Sequence, residues 1–378
     1  MSSFEASTNT SVQHLLDMLT SKRPAFSQTE NAFVETYIRP LGAKADAYGN
    51  MIVDVGSSPS ILWSSHTDTV HYNEGEQIVA VEGDVIKLAE PPQGLSRKER
   101  RRYKSNCLGA DCTTGIWLMA EMIRAKVPGR YIFHASEENG GNGSSFISKS
   151  TPDLLKPMKA AIAFDRKGVQ EVITHQFSSR CCSDDFAKSL ALQMPGACKP
   201  SPDGTFTDTA NYTDQIGECT NISVGYVGQH TSNEIQLIPY LLQLRDMMVK
   251  FDQSKLTFVR KPGEYDPEDD FFYRGGRNYY YGASAWSSGL DDDYYNKVGQ
   301  RVTKLGPSTI PIRSGLDRFI TKAVKRSNVT ELRQFMLDHP SECADFMDQM
   351  GISIDDLRNY APWVDDDATE GKYGGYQS

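Results

Sequence analysis

Five short segments of this sequence carry histidines and carboxylates of the kinds that bind divalent cations and move protons. His66-Thr67-Asp68 follows the apolar stretch 60–65 (SILWSS). A histidine leaving a buried strand can bind a metal through one ring nitrogen, and a carboxylate two residues on can fix the ring through the other. Gly109-Ala110-Asp111 precedes a helical pattern, and an aspartate among small neighbours there can bridge two cations. Glu137-Glu138 follows residues 130–136 (RYIFHAS). Two adjacent carboxylates repel unless cations neutralise them, and they can divide the work, one binding metal and the other acting as a general base. Asp165 ends the apolar run 159–164 (KAAIAF), and His230 lies four residues beyond 221–226 (NISVGY). Taken singly each is weak: His66 reads equally as a structural histidine, Asp165 as a cap or turn residue, the Glu pair as a solvated turn. Together they are oxygen and nitrogen donors suited to zinc and related ions, all at the carboxyl ends of strands, where open α/β sheets hold ligands.

The elements that must position them alternate. Residues 10–42 read as two helices, the second opened by Ser27-x-x-Glu30, a capping box, and closed at Pro40-Leu41-Gly42. Asp46-Ala-Tyr-Gly49-Asn50 turns into a strand at 51–55. Further strands are expected at 60–65, 130–136, 159–164, 169–175 and 221–226, and helices at 113–126, 142–149, 183–193 and 233–252. Short apolar strands alternating with helices predict an α/β three-layer sandwich around a mostly parallel sheet. The composition changes after residue 254. Residues 255–312 are rich in Tyr, Gly and Asp and read as a linker or arm, 313–362 as a small helical C-terminal module, and 363–378 as a disordered tail.

Of the 378 residues, 39% are hydrophobic and 24% charged, which is the balance of a soluble globular chain. A net charge of −9 argues against a nucleic-acid surface, although residues 95–104 (LSRKERRRYK) form a basic run that reads as a solvated loop. No apolar run is long enough to span a bilayer, and the opening MSSFEASTNTSVQ lacks the basic start and apolar stretch of a secretory signal. Seven cysteines without C-x-x-C spacing fit reduced thiols, so a cytoplasmic location is expected, with neither nucleic acid nor membrane as partner.

The ordered set His-x-Asp, Gly-Ala-Asp, Glu-Glu, Asp, His resembles the co-catalytic two-zinc exopeptidases: aminopeptidases, peptidase T and related carboxypeptidases and deacylases. The resemblance runs from about residue 10 to 252 and takes in the Asp46–Asn50 turn and a closing histidine segment at 221–234 (NISVGYVGQHTSNE). It implies a phosphorylase/hydrolase-like core and two divalent ions, zinc or else cobalt or manganese. Asp111 would bridge the two ions; His66 and Asp165 would complete one, and Glu138 and His230 the other. Glu137 would be the general base and Asp68 would orient His66. The sequence departs from the pattern at Cys112, where the family often has a second Asp. It also places Asp165 and His230 only 65 positions apart, too close for the inserted lid domain of peptidase T. Within that interval Arg180-Cys181-Cys182-Ser183-Asp184 and Thr207-Asp208-Thr209 are candidates to line the substrate cleft, Arg180 as a contact to a substrate carboxylate. Cys112, Cys181 and Cys182 read as packing residues, and His134 and His175 as structural. The expected substrate is a peptide; an N-acyl amino acid, or no turnover at all in a scaffold protein, are the alternatives. Oligomeric state is left open.

Overall fold

The structure, a computed structural model, describes residues 3–177, 179–196 and 198–265. The expected helical module at 313–362, the tail at 363–378 and most of the 255–312 arm lie outside the described residues.

An eight-stranded sheet organises the chain. Its strands are β1 (Lys44–Ala45), β2 (Met51–Val55), β3 (Ile61–His66), β6 (Gly129–His134), β7 (Ala160–Arg166), β8 (Glu171–Ile173), β9 (Lys199–Ser201) and β10 (Glu218–Ser223). A second sheet of four holds β4 (Val79–Glu82), β5 (Val85–Leu88), β11 (Tyr226–Val227) and β12 (Ile235–Leu237). The large sheet runs β9-β8-β10-β7-β3-β6-β2-β1, and its centre, β10-β7-β3-β6, is parallel throughout. Antiparallel pairs lie outside that centre, where β2 joins β6 and β8 joins β10.

Alternation along the central strands feeds two cores. Ile61 and Trp63, Tyr131 and Phe133, and Ala160, Ile162 and Phe164 belong to one. Leu62, Ile132 and Ala161 belong to the other. All six residues of β3 are buried, Ser64, Ser65 and His66 included, as in a strand covered on both faces. The first core is completed by helices α1 (Ser3–Leu19), α3 (Ala110–Arg124), α5 (Asp184–Ala191) and α6 (Ile238–Met248). The second is covered by α4 (Asn142–Ser150) and the turn Asp208–Tyr212. This is the expected α/β sandwich of three layers. Gly115 lets α3 lie hard against the sheet, because a Cβ there would collide with the Phe164 carbonyl oxygen.

Two expectations need correction. The helix expected over 233–252 begins only at Ile238, because Ile235–Leu237 is a strand paired with Val85–Lys87 on one side and Tyr226–Val227 on the other, and Pro239 then opens the helix. The Ser27-x-x-Glu30 box at α2 (Gln28–Phe33) is half formed. Ser27 Oγ accepts from the Glu30 N–H at 3.0 Å, but the Glu30 carboxylate turns to the Phe26 N–H and the Thr67 hydroxyl. The second sheet was not anticipated, although VAVE-GD-VIKL at 79–88 is a hairpin pattern with Gly83 at φ +57° in the turn. The basic run is one helical turn, Arg97–Arg100, closed by a Ser96–Glu99 capping box and exposed at Arg97, Arg100 and Arg101. Among the described residues no helix is long and apolar enough to cross a membrane.

Candidate metal centre

The parallel register brings the first ligand pair together. Ser64 on β3 pairs with Ala163 on β7, so His66 and Asp165, two residues further on each strand, emerge side by side on the same face. His66 Nε2 lies 3.6 Å from Asp165 Oδ1. The ring is held from behind, with Nδ1 3.0 Å from the Asp68 carbonyl oxygen and 3.5 Å from Asp68 Oδ1. The backbone of Asp68, more than its carboxylate, therefore orients His66. The carboxylate instead accepts the Glu137 N–H at Oδ1 (3.0 Å) and the Glu138 N–H at Oδ2 (3.1 Å), locking the Glu pair to the His66 loop. Ser136, at φ +62°, kinks the chain as it leaves β6 so that both glutamates turn over the strand ends. The Asp46–Asn50 turn supports them from the far side: Asn50 accepts the Ala135 N–H and donates to the Gly143 carbonyl, bracketing the loop.

The second set gathers at the amino end of α3. His230, at φ +62° between β11 and β12, puts Nε2 3.0 Å from Asp111 Oδ2 and 3.2 Å from Glu138 Oε1. Candidate ligand atoms of Asp111, Glu138 and His230 lie within 4.8 Å of one another, as do those of His66, Glu137 and Glu138, and of His66, Asp111 and Cys112. All five residues named from the sequence as ligands thus converge on one locus, with Glu137 and Asp68 beside them.

Charge at this locus is unbalanced. Five carboxylates (Asp68, Asp111, Glu137, Glu138, Asp165) meet two imidazoles, so negative charge is in excess even with both rings protonated. Burial alone would lower the His66 pKa, but Cys112, Glu137, Asp165 and Asp68 outweigh it and hold the ring well above its usual value. His230 is pushed up to about 12, because Glu138 and Asp111 overcome its burial. Burial raises Glu137 and Glu138; Glu138 and Asp165 raise Glu137 further. Asp111 is driven down despite its burial by the adjoining His230. Glu138 Oε1 is buried, and the polar group that faces it is His230 Nε2 at 3.2 Å. Buried carboxylates in excess over the imidazoles, with oxygen and nitrogen ligand atoms within 4.8 Å of one another, are what a divalent pair would satisfy, and the residues fit such a pair.

Other candidates fall elsewhere. Arg180 Nη1 lies 2.9 Å from Asp184 Oδ1, an i,i+4 pair at the start of α5, so its guanidinium is engaged within the chain. Cys181 and Cys182 are buried in the two cores and Cys112 is buried beneath Asp111, its Sγ 3.1 Å from Arg23 Nη2. His175 contacts its neighbour Thr174. His134 is structural in its contacts, bonded to Ser64 and Tyr212, and burial lowers its pKa to about 3. Asp208, named only as a cleft residue, proves to be wholly buried 3.3 Å from His134, with both oxygens lacking a hydrogen-bond donor; burial pushes its carboxyl up to about 8. Glu234 carries a role that sequence reasoning missed: its carboxylate accepts the N–H groups of Leu108, Gly109 and Ala110 at 2.8–2.9 Å. The signal available was its place four residues after His230, yet nothing local tells a buried glutamate from a solvated one.

No family model and no curated protein matches the chain. Solved structures do. Aminopeptidase PepT from Bacillus cereus is similar at 14% identity and a TM-score of 0.47, over 64% of this chain and 97% of that one. A tripeptidase from Staphylococcus aureus is similar at 14% identity and 0.49, again over 64% and 97%. The Pyrococcus horikoshii TET1 peptidase, which can assemble into a tetrahedron or a large octahedral shell, is similar at 16% and 0.43, over 64% and 98%.

Proposed function

We propose that the chain is a cytosolic metal-dependent exopeptidase that removes amino-terminal residues from peptides, with two zinc ions as its resident metals and cobalt or manganese as substitutes. The observation that carries this reading is the convergence of His230 on Asp111 and Glu138, at 3.0 and 3.2 Å, beside the His66–Asp165 pair.

In this reading His66 and Asp165 would help to hold one ion, Glu138 and His230 another, and Asp111 would serve both. Such a pair, when bound, polarises the scissile carbonyl and lowers the pKa of the attacking water. Glu137 takes the proton from that water and hands it to the departing amine. Without metal, burial holds the Glu137 carboxyl well above its usual value, and bound cations would draw it down toward the ionised form that a base needs. With 8% of its surface exposed, Glu137 reaches substrate while little bulk water reaches it. Asp68 keeps the base in place through the backbone N–H groups of Glu137 and Glu138.

Replacing Glu137 by Gln tests the assignment. Turnover of peptides with free amino termini should fall by about 10²–10⁴-fold, the contribution of a positioned general base, while metal stoichiometry stays that of the wild type. Full activity in this variant would sink the base assignment. Peptides with blocked amino termini, run alongside, distinguish an aminopeptidase from an N-acyl amino acid deacylase.

A further inference from the structure

The two ligand pairs are held by different means, and the second relies on one side chain outside the ligand set. Glu234 is fully buried. Its Oε2 accepts from Leu108 N at 2.8 Å and Gly109 N at 2.9 Å, and its Oε1 accepts from Ala110 N at 2.8 Å. These are the three N–H groups directly ahead of Asp111, at the amino end of α3, where Gly109 supplies no side-chain cap. Four residues earlier, on the same connection between β11 and β12, stands His230, tethered by the Glu234 N–H to the Thr231 carbonyl at 3.1 Å. One carboxylate therefore spans the His230 connection and the Asp111 loop.

We propose that Glu234 is a positioning residue that fixes the separation of His230 from Asp111, and so the geometry of the Asp111–Glu138–His230 ligand set. The proposal rests on the metal reading above. Hydrogen bonds to a carboxylate are about twice as strong as those between neutral groups, and three consecutive buried N–H groups without an acceptor would relax the loop. The His66–Asp165 pair has no comparable need, since strand register places it. Because Asp111 is shared, loss of Glu234 should weaken the Glu138–His230 position strongly and the His66–Asp165 position only slightly. A residue needed only for folding would weaken both alike.

The experiment is a titration of the metal-free full-length protein with Zn2+ alone, against a competing chromophoric chelator, for wild type, Glu234→Gln and Glu234→Ala. Metal-free thermal melts are recorded in parallel. Gln keeps the volume and one acceptor oxygen but turns an amide N–H toward a backbone N–H, so it tests the clamp with the least disturbance to packing. Wild type should bind two equivalents. In Glu234→Gln the weaker step should lose about 10–100-fold in affinity, the usual scale for partners that orient metal ligands, with the tighter step within about threefold of wild type. Glu234→Ala should bind only one equivalent. Two unchanged steps in Glu234→Gln overturn the proposal, as does equal weakening of both or a Gln variant that does not fold. Wild type binding no zinc overturns the metal reading itself and takes this proposal with it; two equivalents in wild type with an unaltered variant sink this proposal alone.

Discussion

The His66–Asp165 side of the centre and the His230 side do the same kind of work on different scaffolds. The first stands on two adjacent parallel strands, β3 and β7, in the middle of the eight-stranded sheet; His66 has 1% of its surface exposed. The second joins the first turn of a helix to a connection in the small sheet, where the His230 side chain is 23% exposed and its backbone sits in the left-handed region. In the first, hydrogen-bonded register fixes the distance between ligands. In the second, separate loops must be tied together, by Glu138 from the sheet side and Glu234 from behind. A centre made this way has one rigid half and one assembled half, and the assembled half is where metal should be lost first and where substrate binding can still adjust the geometry.

In the proposed reading Asp111 is the ligand common to both halves, so its removal should have the largest effect. Asp111→Ala should abolish stoichiometric binding of both ions and cut peptidase activity by more than about 10³-fold, since metal assistance and the base's target go together. Metal analysis after dialysis checks it. One retained equivalent would mean that the halves are independent and that Asp111 does not bridge.

A metal-free titration of stability should have the next largest effect. The two imidazoles then stand in for the missing cations, and His66 and His230 are both held protonated by their carboxylate neighbours. A group whose pKa is raised on folding binds protons that the unfolded chain has released, so its stabilisation is complete below the unfolded value and is lost as pH rises through the folded one. For His230 that window runs from 6.5 to about 12; for Asp208 and Glu234, both raised by burial, it runs from the ordinary carboxylate range to about 8. His71 and His134 act in the opposite sense, being lowered by burial to about 4 and about 3, but only below pH 6.5. The metal-free protein should therefore lose stability steadily from pH 6.5 to pH 9, by about 1.4 kcal/mol per pH unit for each proton involved. Added Zn2+ should flatten the decline. A flat metal-free profile in denaturant melts would show that the histidines do not neutralise the cluster.

The two halves also differ in how far they could be read from sequence. The rigid half was legible because buried parallel strands show short apolar stretches, ILW in 60–65 and AAIAF in 160–164, and the charged or metal-binding residue that follows each falls at the carboxyl end of the strand. Asp111, Glu138 and His230 were named by the same reasoning together with their order. What escaped was the support of the assembled half. The short strand Ile235–Leu237 was absorbed into the following helix because three residues carry too little periodicity to separate a strand from a helix start. Glu234 was passed over because its partners are backbone N–H groups 124–126 positions away, and a backbone donor leaves no mark in a side-chain pattern. Arg180, read from the sequence as a candidate contact to a substrate carboxylate, lies 2.9 Å from Asp184, a partner four positions on that the sequence pattern did not single out.

The smallest effect lies at the joint between the halves, and it tests whether they are one unit. Gly109 takes φ +71° at the start of α3, a conformation that costs any residue with a Cβ. A Cβ built there would lie 3.0 Å from Thr69 Cγ2 and 3.1 Å from His71 Cε1, both on the loop that leaves His66. Those neighbours cannot easily give way. The Thr69 hydroxyl is bonded to His71 Nδ1 at 2.6 Å, and His71 Nε2 lies 3.0 Å from both Gln77 Oε1 and the Cys107 carbonyl oxygen. Gly109→Ala should thus combine left-handed strain with a push between the Asp111 loop and the His66 loop, for a loss of about 1–2 kcal/mol. Because the push falls on the helix start and not on β3 or β7, the weaker zinc step should soften while the tighter step holds. A melting temperature equal to wild type would mean that the two loops are not packed against each other, and that the assembled half keeps its place by Glu234 and Glu138 alone.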